Sequence, residues 1–392
     1  MSADTSGRKA VTKVAKTTAN TAANTAAKTA SKTASKTAAK SAAKTTAKTV
    51  AKTTAAKTAA KTAAKTAATT AALRPSVVTT AVMKKNPNPL VTKRTPASLA
   101  ALPPLPCVPA GIRIGTHVSS QGGSFAAPPR ASEIGATALQ LFTKTPNQWK
   151  EREIEASERA LFREALRVAG SPVTVSHDSY LINLASPDDA MRARSIESFA
   201  TELRRCHALG IDFLVSHPGN YMDDRDAGLA RNAASIAIAL SAEPGDTILC
   251  LETTAGTGTA LGATFEELAA IIAALPAAVR GRVGVCVDTC HIYSAGYDLV
   301  QDFDGVIDRF DRVLGLDRLR VWHLNDSKTP FDSHRDRHEL IGSGSLGDAP
   351  FRRIMTDPRF RHTIRILETP KLDDATATDR LMLHRLLGFL AT

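Results

Sequence analysis

Six short apolar runs in this chain finish in the same way. VTVSH ends on His177, FLVSH on His217, TILCLE on Glu252, VGVCVD on Asp288, RVWH on His323 and TIRILE on Glu368. Each run has the length and β-branched content of a buried strand, and each then delivers an ionisable side chain to the loop that follows. A single instance carries little weight, because an Asp after a strand more often caps the next helix or makes a turn. Six instances are different. Buried imidazole and carboxylate groups are costly unless they pair with one another or hold a metal ion, so the repetition demands a fold that gathers strand ends in one place.

The spacing supplies that fold. Eight candidate strands fall at 112–118, 138–142, 173–176, 213–216, 247–252, 283–288, 320–324 and 363–367. Between most of them lie Ala-, Leu-, Arg- and Glu-rich segments long enough for a helix, such as 152–169, 189–209, 224–242 and 264–279. Strand alternating with helix eight times predicts an α/β protein of the (β/α)8 TIM-barrel class. Continuous apolar strands are what a parallel sheet covered on both faces requires. In such a barrel the working groups stand at the C-terminal ends of the strands. His117, His177, His217, Glu252, Asp288, His323 and Glu368 all occupy that position.

Three more donors belong with them. His291 follows Asp288 by three residues, and Asp336 and His338 stand two apart in HRDRHELIGSG, so that in an extended segment they point the same way. Without His117 the candidate ligands number nine: five His, two Asp, two Glu and no Cys. At three or four protein ligands per ion, that set implies two or three ions. Its nitrogen-rich chemistry favours Zn²⁺, with Mn²⁺ or Fe²⁺ as the other candidates, and a cluster of divalent ions suits phosphoryl chemistry on an anionic polymer. Cys286 and Cys290 flank Asp288, yet the oxygen and nitrogen donors already suffice and these thiols read as packing residues. His207, His334, His362 and His384 read as surface residues. The glycines of AGTGTALG and GSGSLG read as turns and resemble no P-loop.

Charge divides the chain. Residues 1–110 hold 19 Lys and Arg against one acidic residue, Asp4, whereas the remaining 282 residues carry 31 basic and 37 acidic side chains. The net +12 therefore belongs to the N-terminal segment. Residues 1–70 are almost entirely Ala, Lys, Thr and Ser, with Lys every fourth position from 28 to 52. Like charges at that spacing repel, and nothing there builds a core, so the segment is expected to be a disordered tail. Neutralised on phosphates it becomes a sequence-blind DNA tether, similar in composition to linker-histone tails. A transit peptide and an inert extension ahead of a true start at Met83 are the competing readings. Residues 71–110, with their repeated prolines, read as an extended linker, and 111–392 as the barrel domain. Five cysteines, odd in number and mostly in apolar runs, suit a reducing compartment. No run approaches 18 apolar residues and no secretory h-region is present, so no membrane association is expected.

The barrel segment resembles a known family. IGTHVSSQGG, LFTKTPNQW, SHDSYLINLASP, SHPGN, LETTAGTGTALG, GVCVDTCHIYSAGYD, WHLNDSK, SHRDRHELIGSGSLG and ILETP, in that order across 112–370, are similar to endonuclease IV, the metal-dependent AP endonucleases of base-excision repair. The resemblance implies about three Zn²⁺ ions, with Mn²⁺ possible at some positions. His177, His217 and Glu252 would hold the first. Glu252 would bridge to a second, completed by Asp288, His323 and Glu368. His291, Asp336 and His338 would hold the third, the most solvent-facing. It further implies hydrolysis of the phosphodiester 5′ to an abasic site, giving a 3′-hydroxyl and a 5′-deoxyribose phosphate, and removal of blocking groups from 3′ ends. The implied partner is double-stranded DNA containing abasic sites or blocked 3′ ends, met by a monomer. The setting would be cytoplasmic and nucleoid-associated in a bacterium, nuclear or organellar in a eukaryote. His117 and Tyr180 match positions near the site, and Gln148 matches a residue that enters the duplex. Asn147 stands where the family typically has Arg, making that wedge shorter and uncharged.

Two other functions compete. Xylose-isomerase-related sugar isomerases and epimerases carry Glu, Asp, His and Glu at strand ends, which Glu252, Asp288, His323 and Glu368 alone would satisfy. A DNA-packaging protein with an inert barrel would need only the tail. The five further ligands argue against the first, and a complete ligand set against the second.

Overall fold

The apolar runs pair as parallel strands enclosed by helices should. The computed structural model describes residues 108–150 and 152–391; the tail, most of the linker and Cys107 lie outside the described residues. Eight strands form the barrel: β1 (Arg113–His117), β2 (Ala138–Phe142), β3 (Val173–His177), β4 (Phe213–Ser216), β5 (Ile248–Glu252), β6 (Val283–Asp288), β7 (Leu319–His323) and β8 (Ile364–Leu367). Each is parallel to its sequence neighbour, and β8 pairs with β1 through Arg113↔Ile364 to Thr116↔Leu367, closing the sheet. β1 and β2 approach so closely that a Cβ on Gly115 would lie 1.7 Å from the Ala138 carbonyl oxygen, so only glycine is tolerated there.

Inside the barrel, Ala138, Val175, Val215, Cys250, Cys286, Val321, Ile364 and Ile366 form a separate buried cluster. The larger core lies between the sheet and the surrounding helices, with Phe162, Phe199, Leu203, Ile236, Ile271, Phe310 and Leu383 among its members. Among these helices are α1 (Ala127–Glu133), α2 (Ala156–Val168), α3 (Asp189–Leu209) and α4 (Arg225–Ala242). Local chemistry sets their ends. The Asp188 side chain accepts from the amides of Ala190 and Met191 at the start of α3, and Gly210, at φ 75°, stops it. The single helix expected over 264–279 is instead two, Phe265–Ala274 and Ala277–Arg280. Leu275 precedes Pro276 and is extended at ψ 142°, because the proline ring excludes the helical region for its predecessor.

Long βα loops shape the mouth. A two-stranded antiparallel ladder, Asp326–Ser327 with His338–Glu339, folds the segment after β7 back toward the barrel. Buried Asp326 accepts the amides of Gly342, Gly344 and Leu346, fixing the turn beyond it. Among the described residues no helix is long and apolar enough to cross a membrane.

Candidate metal centre

Because seven barrel strands end on ionisable residues, closing the barrel brings those groups together. With His291, Asp336 and His338 they make three clusters of nitrogen and oxygen donors, each within 4.8 Å: His177, His217 and Glu252; Glu252, Asp288, His323 and Glu368; and His291, Asp336 and His338. The Cys286 thiol falls within the same distance of Glu252 and His323, and the Cys290 thiol of Asp288 and His338. Glu252, fully buried, belongs to two of them. Its Oε2 lies 3.1 Å from His177 Nε2 and 3.3 Å from His217 Nε2. Its Oε1 lies 2.8 Å from His323 Nδ1, which in turn is 3.2 Å from Glu368 Oε2. In the third cluster Asp336 sets one oxygen 3.2 Å from His291 Nε2 and the other 3.2 Å from His338 Nε2. Asp336 is 54 % exposed, which makes this the most open of the three.

The outward nitrogens of four of the five donor histidines are already committed. His177 Nδ1 donates to the Asp178 carbonyl at 3.0 Å, and His291 Nδ1 to that of Thr253 at 2.9 Å. His338 Nδ1 donates to the Glu368 carbonyl at 3.3 Å, and His323 Nε2 to Gln140 Oε1 at 2.8 Å. A ring whose one nitrogen is held as a donor presents the other's lone pair inward, as metal-ligating histidines do. His291 Nε2 and His338 Nε2 are buried, and their 3.2 Å approaches to Asp336 lack hydrogen-bond geometry. Imidazole and carboxylate donors arranged in this way fit divalent transition-metal ions.

Without an ion the same crowding perturbs several of these groups. Burial alone would lower His177, yet its hydrogen bond and charge pairing with Glu252 raise it to about 10. Burial opposes protonation of His338 too, but Asp288 and Asp336 raise it to about 9. Burial would push Asp336 and Glu368 up; the neighbouring imidazoles hold both carboxyls below the usual range. His217 is lowered, chiefly by burial, and stays neutral.

Asp288 has both of the roles that sequence sets in opposition. Its Oδ1 accepts the His291 amide at 2.9 Å and so caps the short helix Thr289–Ser294. Its Oδ2 accepts from Asn325 Nδ2 at 2.7 Å and faces His338 Nε2 at 3.5 Å. Cys286 lines the barrel interior, and burial raises both it and Cys290, keeping the thiols protonated. Of the four histidines set aside, none joins a donor cluster. Two of them are not superficial, however: His207 is half-buried against Arg282 and Gly245, and His384 is half-buried on the last helix, whereas His334 and His362 are exposed.

The other sequence-selected residues stand around the mouth. The His117 ring packs on Phe142 at 4.5 Å, with Nδ1 3.6 Å from Glu368. Tyr180, 72 % exposed, meets the Phe142 edge at 5.4 Å. Asn147 and Gln148 project from the exposed turn after β2, apart from the donor clusters. A pocket of ≈ 560 Å³ opens beside His217, His291 and Asp336, with Asn220, Thr254, Arg335 and Arg337 along its wall.

Sequence reasoning passed over Gln140. It sits in β2, the one barrel strand assigned no ionisable end group, and it is fully buried. Its amide accepts from His323, donates to Glu368 Oε1 at 2.6 Å and meets His117 Nδ1 at 3.0 Å. The signal was an amide inside the apolar run ALQLF, where an inward polar side chain needs partners at the barrel axis.

These features agree with the comparisons to known proteins. The family model for xylose isomerase-like TIM barrels that carries the AP endonuclease 2 name matches residues 128–386. A relative from Geobacter sulfurreducens named "Probable endonuclease 4" is 46% identical over 67% of this chain and 89% of its own length. The crystal structure of endonuclease IV from Thermus thermophilus aligns with a TM-score of 0.63 at 34% identity, covering 70% of this chain and 99% of its own. A D-tagatose 3-epimerase-like protein, at 16% identity and a TM-score of 0.54, shares the fold alone. The chain therefore belongs to the endonuclease IV family of xylose isomerase-like TIM barrels.

Proposed function

We propose that the chain is a DNA-repair AP endonuclease that hydrolyses the phosphodiester 5′ to an abasic site, leaving a 3′-hydroxyl and a 5′-deoxyribose phosphate, and that it also clears blocked 3′ ends. The observation that carries the metal-dependent reading is the set of committed outward nitrogens on His177, His291, His323 and His338, which leaves an inward lone pair on each. About three Zn²⁺ ions are proposed, with Mn²⁺ acceptable at some positions. His177, His217 and Glu252 hold one, Glu252 with Asp288, His323 and Glu368 a second, and His291, Asp336 and His338 the third. When bound, such ions polarise a phosphodiester, ease deprotonation of water and stabilise the departing alkoxide.

The chain's own residues set the geometry. Glu252 spans two clusters and fixes their separation. Gln140 and Asn325 orient His323, Glu368 and Asp288, and His117 lies against Glu368 on the substrate side. Tyr180 and the Asn147–Gln148 turn form the rim that meets the duplex, with Gln148 entering the stack to hold a displaced abasic nucleotide. The third donor cluster argues against the sugar-isomerase reading, since an enzyme working with Glu252, Asp288, His323 and Glu368 has no use for it. The basic N-terminal segment is proposed as a non-specific DNA tether, and the enzyme as a monomer acting in the cytoplasm, on the nucleoid, if the source is bacterial.

The test is incision of a duplex with one synthetic abasic site, alongside an intact duplex, before and after chelation. Chelator-sensitive cutting on the 5′ side of the lesion is expected. Cutting that survives complete removal of metal, or none on the abasic duplex, would overturn the reading.

A further inference from the structure

The turn that carries Asn147 and Gln148 is held from beneath by a buried cation. Lys144 follows the end of β2, and its side chain is 1 % exposed. Its ammonium donates to Ser198 Oγ at 2.9 Å and to the main-chain carbonyls of Gln148 at 3.1 Å and Trp149 at 3.5 Å. Glu202, also buried, lies 3.8 Å away. Ser198 and Glu202 both come from α3, the helix behind the turn. The same helix supplies Arg205, whose Nε donates to the Thr143 carbonyl at 3.0 Å, and Arg194, whose guanidinium stacks 4.3 Å from the Trp149 ring. From the neighbouring loop, Ser179 Oγ donates to the Pro146 carbonyl at 2.5 Å.

A buried ammonium is expensive, and its partners reveal what it does. Two of its contacts are carbonyls of a surface turn with no regular structure, so the ion fixes that turn's path. The side chains the turn presents are treated in the opposite way. Asn147 and Gln148 are exposed and, among the described residues, make no side-chain hydrogen bond. A rigid backbone bearing unpartnered outward amides is the arrangement of a preorganised probe, because ordering a loop on binding costs affinity.

We propose that Lys144 is a positioning residue that holds the Asn147–Gln148 turn in its duplex-entering shape before DNA arrives. This rests on the wedge reading of Gln148 given above. The consequence is a split in the kinetics. Freeing the turn weakens capture of abasic DNA without touching the groups around the reacting phosphate, so KM rises and kcat holds.

The experiment compares metal-loaded wild type, Lys144→Met, Gln148→Ala and the double variant on a duplex with one synthetic abasic site. Each single change should raise KM about tenfold, as loss of loop order does, with kcat within about twofold. The double variant should be no worse than Gln148→Ala, since both act through one element. Acrylamide should quench Trp149 more readily in Lys144→Met, while buried Trp322 serves as the internal reference. A wild-type KM for Lys144→Met beside an impaired Gln148→Ala, or penalties that add in the double variant, would overturn the proposal alone. An unimpaired Gln148→Ala would overturn the wedge reading and the proposal with it. If Lys144→Met fails to fold, Ser198→Ala takes its place, because it removes one partner of the ammonium. A KM raised two- to threefold is then expected, in line with the loss of one hydrogen bond, and an unchanged KM would sink the proposal.

Discussion

Replacing Gln140 by Leu removes one side chain that touches three site residues at once. At present its Oε1 holds His323 as the Nε2–H tautomer at 2.8 Å, aiming the Nδ1 lone pair toward Glu252 and Glu368. Its Nε2 steadies Glu368 Oε1 at 2.6 Å. Leu fills similar volume, so no large cavity confuses the result. Loss of one orienting partner lowers metal affinity about 10- to 100-fold, or about 1.4 to 2.7 kcal/mol. Gln140 serves two donors of the same four-residue cluster, which places the expected loss near the upper end. The assay is a zinc titration of stripped protein against a chromophoric chelator. One ion per chain should weaken by about 100-fold, while the ions held by the other clusters keep their affinity and far-UV circular dichroism is unchanged. Wild-type affinity for every ion in Gln140→Leu would refute the claim that this amide orients His323 and Glu368.

Glu252→Gln should fold yet lose nearly all incision, because the side chain shared by two clusters surrenders its charge; near-normal cleavage would rule out a bridging role. Metal loading should release protons: at pH 7 the metal-free protein holds one on His177, raised to about 10, and one on His338, raised to about 9, so zinc added to weakly buffered protein should liberate at least two per chain. Because both imidazoles are raised above their ordinary value, the stability they lend the metal-free fold is full below about pH 6.5 and fades as pH climbs through 9 to 10. A melting temperature of the stripped protein that rises over that interval would contradict the sign. Deleting residues 1–110 removes 19 basic side chains and should weaken DNA binding and flatten its salt dependence while chelator-sensitive incision persists; unchanged affinity and slope would dismiss the tether.

Much of this was legible because parallel strands buried on both faces leave little freedom in composition. VGVCVD is apolar up to Asp288 and then turns polar at the barrel's rim, so strand, end and donor could be read together. The same logic hid Gln140, whose donors arrive from β1, β7 and β8; no local pattern announces partners 23, 183 and 228 residues away. The ladder that returns Asp336 and His338 to the mouth has strands of two residues, too short for any periodicity to register. Pro276 divides the helix expected at 264–279, because helix-favouring composition and sufficient length carry no trace of the constraint a proline places on Leu275. Asp288 shows a different limit: cap and donor were weighed as rivals, but a carboxylate has two oxygens and uses one for each.

Closure of the barrel through β1 and β8 has a consequence for biosynthesis. The pairing of Arg113 with Ile364 joins residues about 250 apart, and the strand that completes the sheet also ends beside Glu368. A chain emerging from the ribosome therefore lacks both its last ladder and one donor of the central cluster until almost all of it has been made. Domains with such distant pairings fold late and slowly. A nascent or truncated chain that stops short of Ile364 has an open sheet edge and an incomplete donor set, so the donor clusters at the mouth are completed only when the last strand joins the barrel.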